Sequence, residues 1–216
     1  HDQVPYNTLV DLNRAGTPLI EIVSEPDIRT PQEAYAYLSK IKQIVQYLEV
    51  CDGNMEEGSL RCDANISIML KGSDTFGNRV EVKNMNSLRN VKRAIEHEID
   101  RQIEIIENGG LVEQQTRSFN AAIGDTILMR SKEDANDYRY FPEPDLQPII
   151  VTEKYVKQVK KTLPPLPNEL YKKFTSSFGL SEYDTNVLIE DKDIALYFNT
   201  LCTYTKNYKA AANFVT

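Results

Sequence analysis

The chain has 216 residues, of which 41% are hydrophobic and 26% charged, with nine Gly and ten Pro. This profile is typical of a folded protein and excludes the disordered and fibrous classes. No apolar run approaches the roughly 20 residues of a membrane-spanning helix, and the net charge of −7 disfavours a general nucleic-acid binder.

The first half of the chain predicts a strand and then a helix. Residues 18–25 are mostly apolar and predict a strand, with Glu21 in its interior. Thr30 can cap a helix, Pro31 suits its first position, and Glu33 completes a capping box. An apolar stripe at helical spacing follows up to Leu48.

Alternating residues then predict an antiparallel hairpin. In residues 61–68 the even positions are apolar and the odd positions polar, and residues 79–83 alternate in the same way. A long helix is predicted over residues 87–108, ended by a Gly pair. Its predicted apolar face carries Leu88, Val91, Ile95, Ile99, Ile103 and Ile106.

Two further strands are predicted over residues 113–119 and 126–130. The body, residues 1–151, is therefore predicted to be α+β, an antiparallel sheet with helices on one face. Residues 152–216 are predicted to form a separate all-helical domain, with helices near residues 168–177, 181–190, 192–203 and from 206 onward.

The two parts differ in charge. Residues 1–152 hold 16 basic against 25 acidic residues, whereas residues 153–216 hold 9 against 7, so the C-terminal part is the better candidate for contact with RNA.

Three cysteines without CxxC spacing and two histidines disfavour a zinc site and indicate free thiols. Carboxylate ligands favour Mg²⁺.

The polar face of the predicted hairpin is a candidate ligand site. It would present Arg61, Asp63 and Asn65 beside Arg79, Glu81 and Lys83. Asp and Asn are poor strand formers whose placement a ligand site could explain. An exposed face with incidental ion pairs is the alternative. Arg61 enters this face from the preceding turn.

Other carboxylates and arginines could serve the same site. Glu56 and Glu57 lie on a Gly-containing turn and suit Mg²⁺ coordination or general-base chemistry, or they are solvated turn charges. Glu21 is either a metal ligand or half of a buried ion pair. Arg117 and Arg139 are candidate phosphate binders, and no Gly-rich phosphate loop occurs in the sequence.

Several segments together resemble the B subunit family of the Asp/Glu-tRNA amidotransferases, usually called GatB. The matching segments are residues 10–27, 55–65, 83–87, 115–117 and 137–145. The resemblance implies a catalytic cradle of the glutamine synthetase/guanido kinase type, followed by the start of a helical, tRNA-contacting region.

The resemblance also implies an activity. Such enzymes use ATP and Mg²⁺ to phosphorylate the side-chain carboxylate of Glu or Asp on misacylated tRNA, and ammonia from the glutaminase A subunit then displaces the phosphate. By resemblance Glu21 and Glu56 are metal ligands, Glu57, Arg61 and Lys83 are catalytic or positioning groups, and Arg117 and Arg139 bind phosphate or carboxylate.

The family's N-terminal metal-site segment and its C-terminal tail have no counterpart between His1 and Thr216. We therefore expect this chain to be a fragment that is inactive alone, and expect the whole protein to act with A and C subunits in a bacterial cytoplasm or an organelle. Two alternatives stay open: a phosphotransferase acting on a small molecule, and a non-catalytic tRNA-binding scaffold.

Overall fold

The computed structural model describes residues 12, 13, 16–131 and 147–216, without the side chains of residues 130 and 131. The described strands are β1 (Ala64–Ile66), β2 (Val80–Lys83), β3 (Gln115–Asn120) and β4 (Asp125–Ser131). The described helices are α1 (Pro31–Tyr47), α2 (Leu88–Glu107), α3 (Glu153–Thr162), α4 (Pro167–Ser176), α5 (Glu182–Glu190), α6 (Lys192–Leu201) and α7 (Tyr208–Val215).

The predicted start of α1 is confirmed in atomic detail. The Thr30 hydroxyl accepts from the Glu33 backbone N–H at 3.1 Å, and the Glu33 carboxylate accepts from the Thr30 backbone N–H at 3.1 Å. Pro31 occupies the first turn, where its missing N–H has no helical partner to lose. The local sequence alone therefore sets where α1 begins.

Helix α2 has the predicted ends but a different buried face. Ser87 caps its start and Gly109, at φ 77°, follows its end. The buried positions are Val91, Ala94, Glu98 and Gln102. Ile103 and Ile106 are exposed, so the predicted apolar face is wrong in its last two turns. Polar partners allow Gln102, and Glu98 one turn earlier, to be buried instead.

The sheet has the order β1-β2-β3-β4 and is mixed. The β1–β2 and β3–β4 pairs are antiparallel, as predicted, whereas β2 and β3 are parallel. The prediction of a fully antiparallel sheet is therefore wrong. The physical reason is α2, which forms the long crossover that parallel neighbours require.

The predicted strand over residues 18–25 is also wrong. These residues have no strand or helix and are exposed. An apolar run becomes a strand only when another strand pairs with it, and no described strand does so.

Two hydrophobic clusters lie in the described residues. One is formed by the sheet with α1 and α2 and includes the fully buried Val80 and Val82. The other is formed mainly by α4–α7, which lie close to the predicted C-terminal helices, and centres on Phe174 and Phe198. None of the described helices combines the length and apolar character needed to cross a bilayer.

Helix α1 contributes to both clusters. Leu38 packs in the sheet cluster, whereas Tyr47 packs with α4–α7 and donates a hydrogen bond to the Ile189 carbonyl at 2.7 Å. Gln43 donates to the same carbonyl at 2.8 Å. Burial, and then the negative charge of Asp191, raise the pKa of Tyr47 to about 12. The division into domains at residue 151 stays a prediction.

Candidate functional site

One face of the β1–β2 hairpin carries apolar side chains and the other carries polar side chains, as predicted. Val80 and Val82 are fully buried towards the helices. On the opposite, open face the register places Asn65 beside Glu81, and Asp63 directly precedes β1. The alternation in the sequence therefore predicted correctly which side chains share this face.

Lys83 is the central charge of the open face. Its ammonium group forms ion pairs with Asp63 and, at 3.1 Å, with Glu81. Burial lowers the pKa of Lys83, but the hydrogen bonds and negative charges of Asp63 and Glu81 together raise it above its ordinary value. Lys83 therefore stays protonated at neutral pH, and its ammonium group is held in place between the two carboxylates.

The parallel β3 strand extends the open face beyond what the sequence predicted. The Thr116 hydroxyl donates to Glu81 at 3.0 Å, and Asn84 donates to the Ser118 hydroxyl at 2.7 Å. Asn84 has a φ of 63°, in the left-handed region that Asn tolerates better than most residues. The β2–β3 pairing was the missing information, because it alone places these groups together.

Arg117 lies on the opposite face of the sheet. Its guanidinium donates to the Thr126 hydroxyl at 2.8 Å, to the Thr126 carbonyl at 2.6 Å and to Gln115 at 3.0 Å. Burial, and then the charge of Arg101, lower its pKa. The structure does not bring Arg117 together with Lys83, and its predicted phosphate-binding role stays a prediction.

Glu98 is the acceptor at the centre of this second polar group. It is fully buried, and Arg101 donates two hydrogen bonds to it, at 2.6 and 3.0 Å. Gln102 donates at 2.9 Å and Thr126 at 3.3 Å, while Arg117 Nε lies 3.8 Å away. Sequence reasoning missed Glu98. Its spacing of seven residues from Val91, which is on the predicted apolar face, was the available signal.

The turn that carries Glu56 and Glu57 is organised by Asn54. The Asn54 side-chain oxygen accepts from both glutamate backbone N–H groups, at 3.0 and 3.2 Å. Both glutamate side chains are exposed. Arg61 donates to the carbonyl of Gly58 at 3.3 Å, and Gly58 has a φ of 75° that favours glycine.

The described residues do not assemble the predicted Mg²⁺ site. Among residues 12, 13, 16–131 and 147–216, no group of three or more His, Cys, Asp or Glu side chains could hold a metal ion. Glu21 is exposed in the segment without regular structure, and Arg139 lies outside the described residues. The metal-binding roles of Glu21 and Glu56 stay predictions.

All three cysteines are free thiols, as predicted. Burial, and then the charge of Asp63, raise the pKa of Cys62 to about 11.

Because the thiolate is the nucleophile, we expect iodoacetamide at pH 8 to alkylate Cys62 about 100-fold more slowly than free cysteine. Peptide mapping by mass spectrometry measures the rate. In the urea-unfolded chain Cys62 should react at the ordinary rate, and equal rates in both states would contradict the prediction.

Comparison of the sequence with known proteins relates this chain to a family. Residues 1–157 match the family described as "GatB/GatE catalytic domain". A curated relative from Trichlorobacter lovleyi is 56% identical over 206 residues, which are 95% of this chain and 43% of the relative. Relatives from Alkalilimnicola ehrlichii and Pseudomonas syringae pv. tomato are 51% and 52% identical over 100% of this chain and 45% of their own length. All three are named as the B subunit of an aspartyl/glutamyl-tRNA(Asn/Gln) amidotransferase. The chain thus spans less than half the length of these relatives.

Proposed function

Because this chain belongs to the GatB/GatE catalytic-domain family, we propose that its protein is the B subunit of a tRNA-dependent amidotransferase. The proposed reaction converts Glu on tRNA(Gln) to Gln, or Asp on tRNA(Asn) to Asn. The side-chain carboxylate attacks the γ-phosphorus of ATP and ADP leaves. Ammonia then attacks the side-chain acyl carbon of the phosphorylated residue, and inorganic phosphate leaves.

The observation that carries this proposal is Lys83 held between two carboxylates on an open sheet face. Phosphoryl transfer develops negative charge on the transferred group, and catalysis depends on positioning and on neutralising that charge. Lys83 is held by two acidic partners, Asp63 and Glu81, of which Glu81 is further fixed by the Thr116 hydroxyl. Such a preorganised cation needs little reorganisation energy when charge develops beside it.

The remaining site residues enter the proposal with the roles that the sequence predicts. Lys83 and Arg61 orient and neutralise the phosphoryl group, and Glu57 positions the substrate. Arg139 and Arg117 stay the predicted ATP contacts, although Arg117 lies beside Val82 on the helix side of the sheet, away from Lys83, and is therefore the less favourable of the two.

In this proposal Mg²⁺ binds together with ATP. Glu21 and Glu56 stay its predicted ligands, since carboxylate oxygens are the ligands that this ion prefers. The proposed partners are a glutaminase A subunit, a C subunit and the misacylated tRNA. The proposed location is the bacterial cytoplasm.

The test is ATP-dependent formation of Gln-tRNA from Glu-tRNA by the full-length protein assembled with its A and C partners. We expect product only when ATP, Mg²⁺, glutamine and the complete enzyme are all present. Phosphorylation of free glutamate at the same rate without tRNA would instead support a small-molecule phosphotransferase. Binding of tRNA without any ATP hydrolysis would support a scaffold, and either result would overturn the proposal.

A further inference from the structure

Helix α3 has two chemically distinct sides and no described packing. Every residue from 151 to 163 is exposed. On a helical wheel its four lysines fall within about one third of the circumference, and the apolar side chains fall on the opposite side. The lysines are Lys154, Lys157, Lys160 and Lys161, and the apolar residues are Tyr155, Val156, Val159 and Leu163.

The basic excess of the C-terminal part resides in this helix. Residues 153–162 hold four lysines and one glutamate, whereas residues 163–216 hold five lysines and six acidic residues. The one acidic side chain, Glu153, lies 3.8 Å from Lys157, and both groups are largely exposed. An exposed ion pair of that length neutralises little of the local charge.

A ten-residue helix without packing is marginally stable in water. Four lysines on one side of such a helix also repel one another. A polyanion that neutralised them would remove that repulsion and stabilise the helix.

We propose that the lysine side of α3 is a docking surface for the phosphate backbone of RNA. Lys154 and Lys161 are seven residues apart, which corresponds to roughly 10 Å along the helix axis. The lysine side is therefore long enough to contact more than one phosphate of an RNA strand. This inference rests on the proposed function and assigns part of its tRNA contact to α3.

RNA fits this surface better than an anionic membrane does. Membrane-surface helices combine a basic side with large apolar residues such as Trp, Phe and Leu that enter the acyl region. The apolar side of α3 offers two valines, one tyrosine and, just beyond the helix end, Leu163. The lysine side therefore has the charge for a polyanion, while the apolar side is small for a membrane anchor.

The experiment uses the complete enzyme and a fluorescein-labelled tRNA transcript. The Lys154→Gln/Lys157→Gln/Lys161→Gln variant is expected to bind this tRNA about 10- to 100-fold more weakly at roughly 0.1 M salt. The slope of log K against log salt should become shallower by about 2 to 3, because each phosphate that a lysine no longer neutralises reduces it by one unit or slightly less. Fluorescence anisotropy measures both quantities.

Two matched variants separate position from charge. The corresponding Lys→Arg triple variant keeps the charge and should bind tRNA within about twofold of wild type. The Arg29→Gln/Lys71→Gln/Arg89→Gln variant removes the same charge from exposed positions of the body, outside the helical part for which contact with tRNA is expected. It should also bind within about twofold, because charges beyond a Debye length of about 10 Å are screened.

Unchanged affinity and salt slope in the α3 Lys→Gln variant overturn the inference. Equal losses in this variant and in the body variant overturn it as well, since the effect is then general. If the α3 Lys→Gln variant loses binding to phosphatidylserine vesicles while its affinity for tRNA is unchanged, the lysine side contacts a membrane. That result overturns the inference too. Amide formation by the wild-type enzyme, measured in the same preparations, tests the proposed function separately, so the inference can fail while the function stands.

Discussion

Replacement of Glu98 by Gln is expected to lower the free energy of unfolding by about 2–4 kcal/mol. Glu98 is fully buried, whereas its partners Arg101 and Arg117 retain 20% and 14% of their side-chain exposure. Gln keeps the shape but removes the negative charge, which leaves two cations without their counter-charge. Breaking a buried ion pair costs about 3–5 kcal/mol, and the partial exposure of the arginines reduces that figure.

Urea unfolding followed by circular dichroism at 222 nm measures this change. Glu104→Gln is the matched control, because Glu104 is exposed on the same helix and surface substitutions change stability by within about 0.5 kcal/mol. If Glu98→Gln and Glu104→Gln unfold at the same urea concentration, Glu98 does not stabilise the packing of α2 on the sheet.

Replacement of Lys83 by Met is expected to lower the rate of amide formation on tRNA by about 100- to 1,000-fold in the complete enzyme. Removal of one preorganised electrostatic contact at a reacting group has effects of this size. The substitution also leaves Asp63 and Glu81, the two carboxylates that now pair with Lys83, facing the substrate phosphates unneutralised. Both effects act on the chemical step.

The measurement is the single-turnover rate of Gln-tRNA formation at saturating ATP. Lys83→Arg retains the charge and should recover part of the rate, whereas Lys71→Met, at an exposed position elsewhere, should leave the rate unchanged. Circular dichroism and tRNA affinity should match wild type for Lys83→Met. A rate within threefold of wild type would remove Lys83 from the proposed site.

Locally encoded features were predictable from the sequence. The capping box of Thr30 and Glu33 and the cap at Ser87 each lie within a few residues of the helix they start. The alternation around Asp63 and Lys83 assigned those side chains to one face. In each case the deciding interaction is formed by neighbours in sequence or follows from a period of two or 3.6 residues.

Features that depend on distant partners were not predictable in the same way. The parallel register of β2 and β3 places Val82 beside Arg117, which turns Arg117 to the helix side of the sheet, away from Lys83. Residues 18–25 have strand-like composition but no described strand partner. Burial of Glu98 depends on Arg101, on the same helix, and on Thr126, which only the folded sheet brings to it.

Helix α1 also affects when the chain can complete its packing during synthesis. The hydrogen bond from Tyr47 joins residues 142 positions apart. At a translation rate of about 5–20 residues per second, α1 emerges from the ribosome roughly 7–30 seconds before α5. During that interval the aromatic ring that later becomes buried among α4–α7 is solvent-exposed on the nascent chain. Transient hydrophobic exposure of this kind is where chaperones bind, so the nascent α1 segment is a candidate chaperone contact.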